Sequence, residues 1–146
     1  MKEIDFDKIF GLFEIDDKEI FLQFGLTELM EDDRYLLQAG IKGLENYWLL
    51  DKIEMNKGKP HLKRYEAVRE VIKKKYYLKM FSYIDRVNLN RIEPIYDVVE
   101  ELGYGTVERT LKELRQYFIE LEYYEKCAKL TKMINIITNL FYPENI

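Results

Sequence analysis

The chain has 146 residues, of which 47% are hydrophobic and 34% are charged, and its formal net charge at pH 7 is −4. This length suits one domain spanning 1–146, and the hydrophobic share excludes a disordered chain because burial of apolar surface can offset the ordering entropy. The short apolar runs exclude a membrane-spanning helix, and the acidic first seven residues do not form a secretory signal. A single cysteine, Cys127, excludes an internal disulfide. We therefore expect one soluble, cytoplasmic domain.

Charge is distributed unevenly along the chain. Residues 1–33 contain three lysines and eleven acidic residues, whereas residues 52–79 contain ten basic residues and three glutamates. This segregation fits an anionic partner for the basic segment, and it equally fits a mixed surface on which the two segments face each other. The sequence leaves both interpretations open.

The first part of the chain predicts short helices. Apolar side chains recur with helical spacing over 6–13 and over 36–47, and residues 19–26 fit a helix better than an isolated strand. Over 51–64, the alternation of Ile53 and Met55 before a lysine- and glycine-containing turn permits a small β-hairpin of the winged-helix type. Pro60 instead favours the start of a helix within the same stretch.

Two long stretches without glycine or proline, 61–93 and 106–142, predict the longest helices. In the second stretch, apolar residues step by three and four, and the unusual length predicts a break near 120–124. Thr106 is the predicted N-cap of this segment, and Asn90 and Glu93 predict a capping box for a helix over 92–102. The sequence therefore predicts a mainly α protein, a compact bundle of five to seven helices.

Candidate catalytic groups are scarce. His61 is the only histidine, and a nucleophile would have to be Ser82 or Cys127, both within helix-like sequence. One cysteine and one histidine do not make a usual zinc site, and no acidic cluster has the spacing of a calcium loop. We therefore expect no enzymatic activity, no cofactor and no bound metal.

Residues 95–114 carry a motif of two helices joined by a short turn. The segment 95–104 contains Leu-Gly at 102–103, and Thr-Val-x-Arg-x-Leu follows over 106–111, which resembles a helix-turn-helix. In that family the second helix enters the DNA major groove, so the resemblance implies base contacts by Arg109, Lys112, Arg115 and Gln116, and phosphate contacts by Lys57 and Lys59. An ordinary helical hairpin is the alternative that the sequence favours, because the second helix also carries several glutamates.

The leading hypothesis is a non-enzymatic binding protein, a small regulator or inhibitor that covers a partner's surface. The basic segment would steer the partner, and the aromatic share of 14% would supply anchors. The residues predicted to form this surface are Lys63, Arg64, Lys74, Tyr77 and Lys79, with Trp48 as a central anchor. The composition, rich in Lys, Ile, Glu and Tyr, suggests a phage or mobile-element origin. A membrane partner is not expected, whereas DNA binding and self-association stay open.

Overall fold

The computed structural model describes residues 32–57 and 62–145, and this part of the chain is an all-helical bundle. It contains five α-helices and a final 3₁₀ turn: α1 Asp33–Lys57, α2 Leu62–Asp85, α3 Ile92–Leu102, α4 Tyr104–Glu120, α5 Tyr124–Phe141 and Pro143–Asn145. None of the described residues forms a strand. The predicted mainly α class is confirmed, and the helix count lies within the predicted range. The predicted helices over 6–13 and 19–26 lie outside the described residues.

Helices α1 and α2 form an antiparallel pair. Two charge-assisted hydrogen bonds, of 2.8 and 2.7 Å, join the Arg69 guanidinium to the Asp51 carboxylate. Near the other end of this helix pair, a Cβ at position 40 of α1 would lie only 2.6 Å from Cγ1 of Ile84 on α2. Gly40, which has no Cβ, therefore lets the two helices approach closely. The hairpin predicted over 51–64 finds no support, since 51–57 and 62–64 are helical and 58–61 lie outside the described residues.

Helices α3 and α4 are joined by one residue, Gly103. Its φ of 92° lies in a region that favours glycine. Helix α4 therefore begins two residues before the predicted cap Thr106, and the Val107 N–H donates to the Gly103 carbonyl. The predicted capping box at Asn90 is also wrong, because the cap of α3 is Arg91, without a side-chain hydrogen bond.

The break predicted near 120–124 is confirmed, since α4 ends at Glu120 and α5 begins at Tyr124. The predicted apolar stripes on both helices point into one core that all five helices share; fully buried members include Val107, Leu111, Leu114, Phe118 and Leu130. Across this core, α2 meets α4 through ring contacts, with 4.6 Å between the ring centroids of Tyr77 and Tyr117. In the described ranges, no helix is both long and apolar enough to cross a membrane.

Candidate functional site

The Lys-rich helix α2 carries most of the surface residues that the sequence predicts. Lys63 and Arg64 lie in its first turn, of which only the backbone is described. Lys74 is exposed, and its Nζ lies 5.7 Å from the centroid of the Tyr123 ring. Lys79 is half-buried, and its carbonyl accepts a hydrogen bond from the Ser82 hydroxyl. Lys74 is therefore the predicted α2 cation with a clearly exposed side chain.

The two predicted aromatic anchors, Tyr77 and Trp48, belong to the core and its margin. Tyr77 is only 4% exposed, and Trp48 is half-buried against the core. The Trp48 Nε1–H donates a hydrogen bond to the Tyr77 hydroxyl at 2.5 Å, and this bond joins the two side chains. Burial of the phenol raises the pKa of Tyr77 to about 12. The prediction that Tyr77 is a surface anchor is wrong, because position 77 faces both α1 and α4.

Other cations near α2 lie over rings of the protein itself. The Lys73 Nζ is 5.5 Å from the centroid of the Tyr77 ring and 4.9 Å from that of Tyr117, and the Lys126 Nζ is 5.0 Å from that of Phe81. Such cation–π contacts stabilise the packing of α2 against α4 and α5. We call this set of rings and cations the α2–α4 seam; its members are Tyr77, Phe81, Tyr117, Phe118, Tyr123, Lys73, Lys74 and Lys126.

Of the residues predicted to contact DNA, those whose side chains are described lie on α4. Arg109, Lys112 and Gln116 are exposed along one side of α4, but the Lys112 Nζ lies 3.5 Å from the Glu108 carboxylate. Arg115 instead turns towards α5, where its guanidinium donates to the Thr131 hydroxyl at 3.3 Å. Lys57 ends α1, and Lys59 lies outside the described residues.

The turn between α3 and α4 also differs from that of a helix-turn-helix. In that motif three or four residues separate the helices, whereas Gly103 alone separates Leu102 from Tyr104. The one-residue connection is therefore shorter than the turn of a helix-turn-helix.

Among the described residues, neither candidate nucleophile has a base as its partner. Cys127 is buried, its thiol lies 3.7 Å from the Arg115 carbonyl, and burial raises its pKa. The Ser82 hydroxyl donates to a helix carbonyl, and His61 lies outside the described residues. Within the described ranges, no group of three or more metal-ligating side chains is present.

A surface that the sequence analysis missed lies where α3, the start of α4 and the end of α5 meet. The Tyr96 ring stacks on Phe141 with 4.9 Å between centroids and 12° between planes. The Tyr104 ring contacts the rings of Phe141 and Tyr142, with centroid distances of 5.9 and 4.8 Å respectively. These four rings form what we call the aromatic patch, in which Tyr96 is 40% and Tyr142 is 49% exposed.

Hydrogen bonds fix the inner ring of the aromatic patch. The Tyr104 hydroxyl donates to the Glu108 carboxylate and also lies 3.3 Å from the Thr138 hydroxyl. Burial, reinforced by the hydrogen bond to Glu108, raises the pKa of Tyr104. The exposed rings therefore rest on a ring that is hydrogen-bonded to both α4 and α5.

One sequence signal for this surface was present in α3. Tyr96 lies three residues after Glu93 and four before Glu100, so one helical side combines an aromatic ring with two carboxylates, all exposed. Phe141 and Tyr142 are more than forty residues away in sequence, and nothing in their local pattern places them beside Tyr96.

Comparisons with known proteins assign no function to either surface. No protein-family model matches the chain, and no curated protein or solved structure matches it.

Proposed function

We propose that this chain is a non-enzymatic binding protein, a small regulator or inhibitor, and that the aromatic patch is its docking surface for another protein. The observation that carries this proposal is the exposure of Tyr96 and Tyr142, at 40% and 49%, on a support of further rings. Tyrosines bury a large area at low entropic cost when a partner docks, and they are frequent among the residues that dominate binding energy.

The exposed part of α2 is a second candidate surface for the same function. Lys74 is exposed, and Val71, one helical turn before it, is 48% exposed. Val71 and Lys74 leave open the predicted role of the Lys-rich helix α2, which also carries Lys63, Arg64 and Lys79. Trp48 and Tyr77 are not part of this candidate surface, because they pack against each other at the margin of the core.

A quantitative pull-down with variant baits tests the proposal. The baits are the wild-type chain, a Tyr96→Ser/Tyr142→Ser variant, a Val71→Ser/Lys74→Glu variant and a Tyr124→Ser control. Tyr124 is a suitable control because it is 64% exposed and lies at the opposite end of α5, about 26 Å from Phe141. Each bait is first checked by circular dichroism for its helical content.

We expect a partner captured by the wild type and by the control to be lost from the patch variant. With that partner purified, the Kd of the patch variant should rise by at least about ten-fold, since residues that dominate an interface contribute more than about 1 kcal/mol each. Retention of every wild-type partner by the patch variant would refute the assignment of this surface. If the α2 variant alone loses them, the docking surface lies on α2.

A further inference from the structure

We propose that the aromatic patch binds a cationic segment of its partner, with an arginine or lysine side chain against the exposed rings and the carboxylates of Glu93 and Glu100 beside it. This inference rests on the proposed function and adds to it the chemical class of the partner. Three observations support it: rings that no cation of the described residues covers, two exposed carboxylates beside Tyr96 on α3, and hydrogen bonds that hold the inner ring Tyr104.

The rings of the aromatic patch differ from those of the α2–α4 seam in one respect. In the seam, Lys73, Lys74 and Lys126 lie 4.9–5.7 Å from the ring centroids that they cover. Among the described residues, no cation covers Tyr96, Phe141 or Tyr142, whose contacts are with other rings. The patch therefore presents the electron-rich faces that attract a cation, with no cation of the described chain upon them.

Helix α3, which carries Tyr96, contains four acidic residues and no basic one. Two of the four are engaged with α1: the Asp97 carboxylate lies 2.8 Å from Arg34, and the Glu101 carboxylate accepts a hydrogen bond from Gln38. The other two, Glu93 and Glu100, are exposed on the side of Tyr96 and have no ion-pair partner among the described residues. A cation over Tyr96 would therefore also be attracted by two carboxylates.

The same charges disfavour the other chemical classes of partner. Nucleic acid presents phosphates, which the carboxylates of Glu93 and Glu100 repel, and an acidic peptide meets the same repulsion. A purely apolar segment could cover the rings but would remove water from carboxylates without providing them with a partner. A cationic segment satisfies the rings and the carboxylates together.

Titration of the isotopically labelled full chain with synthetic peptides tests this inference. Four nine-residue peptides share a Gly/Ser sequence and carry, at two positions, arginine, lysine, citrulline or glutamate. Citrulline preserves the shape and hydrogen bonding of arginine but is uncharged, so it isolates the contribution of the charge. Amide chemical shifts in a two-dimensional NMR spectrum report both the Kd and the location of binding.

The arginine peptide should shift the amide signals of the non-proline residues in 93–97 and 140–144, and the citrulline peptide should bind at least about ten-fold more weakly. Tyr96→Leu keeps apolar area but removes the ring, and should weaken binding of the arginine peptide by about two- to five-fold. Glu93→Gln/Glu100→Gln should also weaken binding of the arginine peptide. It should in addition reduce the dependence of the Kd on salt concentration. The matched controls, Tyr124→Leu and Glu125→Gln at the far end of α5, should leave the Kd unchanged.

Equal affinity for the arginine and citrulline peptides would overturn the cationic partner, as would shifts confined to α2 or binding of the glutamate peptide. Such a result leaves the proposed function standing if the pull-down still loses its partner with the Tyr96→Ser/Tyr142→Ser bait. A different result refutes the proposed function, namely that the Tyr96→Ser/Tyr142→Ser bait keeps every partner of the wild type. A concentration-dependent change in molecular mass without peptide would identify a second copy as the occupant and would also overturn the inference.

Discussion

Replacing Tyr77 by phenylalanine removes one hydroxyl from the α2–α4 seam and should change the pH dependence of stability. In the folded chain this hydroxyl accepts the hydrogen bond of Trp48 at 2.5 Å, and the ring is almost fully buried between α1 and α4. Burial, opposed by the Trp48 hydrogen bond and reinforced by the charges of Glu113 and Asp51, raises the pKa of Tyr77 from 10.0 to about 12. The folded state therefore disfavours tyrosinate relative to the unfolded chain.

Two terms of opposite sign set the expected difference in the free energy of unfolding. At pH 8 the wild type should be more stable than Tyr77→Phe by about 0.5–1.5 kcal/mol, the usual net worth of one hydrogen bond. Above pH 10 the unfolded tyrosine ionises while the buried one stays neutral, so the unfolded state binds fewer protons and wild-type stability falls as pH rises. This loss reaches about 1.4 kcal/mol at pH 11 and about 2.3 kcal/mol at pH 12.

The variant should consequently become as stable as the wild type between about pH 10.1 and 11.1, and more stable above that range. Urea unfolding at 25 °C, followed by circular dichroism at 222 nm from pH 8 to 12, measures both free energies. The other tyrosines titrate in both proteins and so cancel from the difference. Tyr124→Phe, which removes a hydroxyl from a ring that is 64% exposed, is the matched control. A difference that stays constant from pH 8 to 12 would refute the burial of Tyr77.

Three further pairs of variants test the packing by their free energies of unfolding in urea. Leu114→Ala should cost about 2–5 kcal/mol because Leu114 is fully buried, whereas Ile119→Ala, at a residue 42% exposed, should cost about 0.5 kcal/mol or less. Equal costs would contradict the burial of Leu114 in the core. Gly40→Ala should cost about 1–3 kcal/mol, because the new Cβ would lie 3.1 Å from the Met80 carbonyl, and Gly43→Ala should cost less, since it meets only the flexible Met80 side chain. Gly103→Ala should cost about 1–3 kcal/mol because the φ of Gly103 is +92°, while Gly105→Ala, within helix α4, should be neutral or stabilising. The reverse order of costs would contradict the positive φ at position 103.

The parts of the fold that could be predicted from sequence are those set by local periodicity. Along α4, apolar residues at spacings of three and four occupy one side of a helix, and Leu111, Leu114 and Phe118 are indeed fully buried. The break before Tyr124 could be predicted because one helix of that length is rare. The start of α4 could not, since it depends on the backbone conformation of Gly103 rather than on the hydrogen-bonding capacity of Thr106.

Site prediction failed at Tyr77 because a ring beside lysines suits a surface and a seam equally well. The sequence Lys73–Tyr77 contains three lysines, which suggests a solvated helix, but Lys73 spans the rings of Tyr77 and Tyr117 from two helices. The aliphatic stem of a lysine can cover apolar surface while its ammonium group remains near water. Only the position of α4 relative to α2 reveals this arrangement.

The structure also changes what the charge pattern of the chain indicates. The sequence leaves open whether the basic segment 52–79 meets a partner or the protein itself, and in the structure Arg69 is bonded to Asp51 and Lys73 lies over rings of the core. In α3 the reverse holds, since Glu93 and Glu100 flank an exposed ring and lack a described counter-ion. A charge already opposite its own partner contributes to the fold, whereas unmatched charge beside exposed rings is available to a second molecule. For this reason we propose the acidic side of α3, before the basic helix α2, as the docking surface.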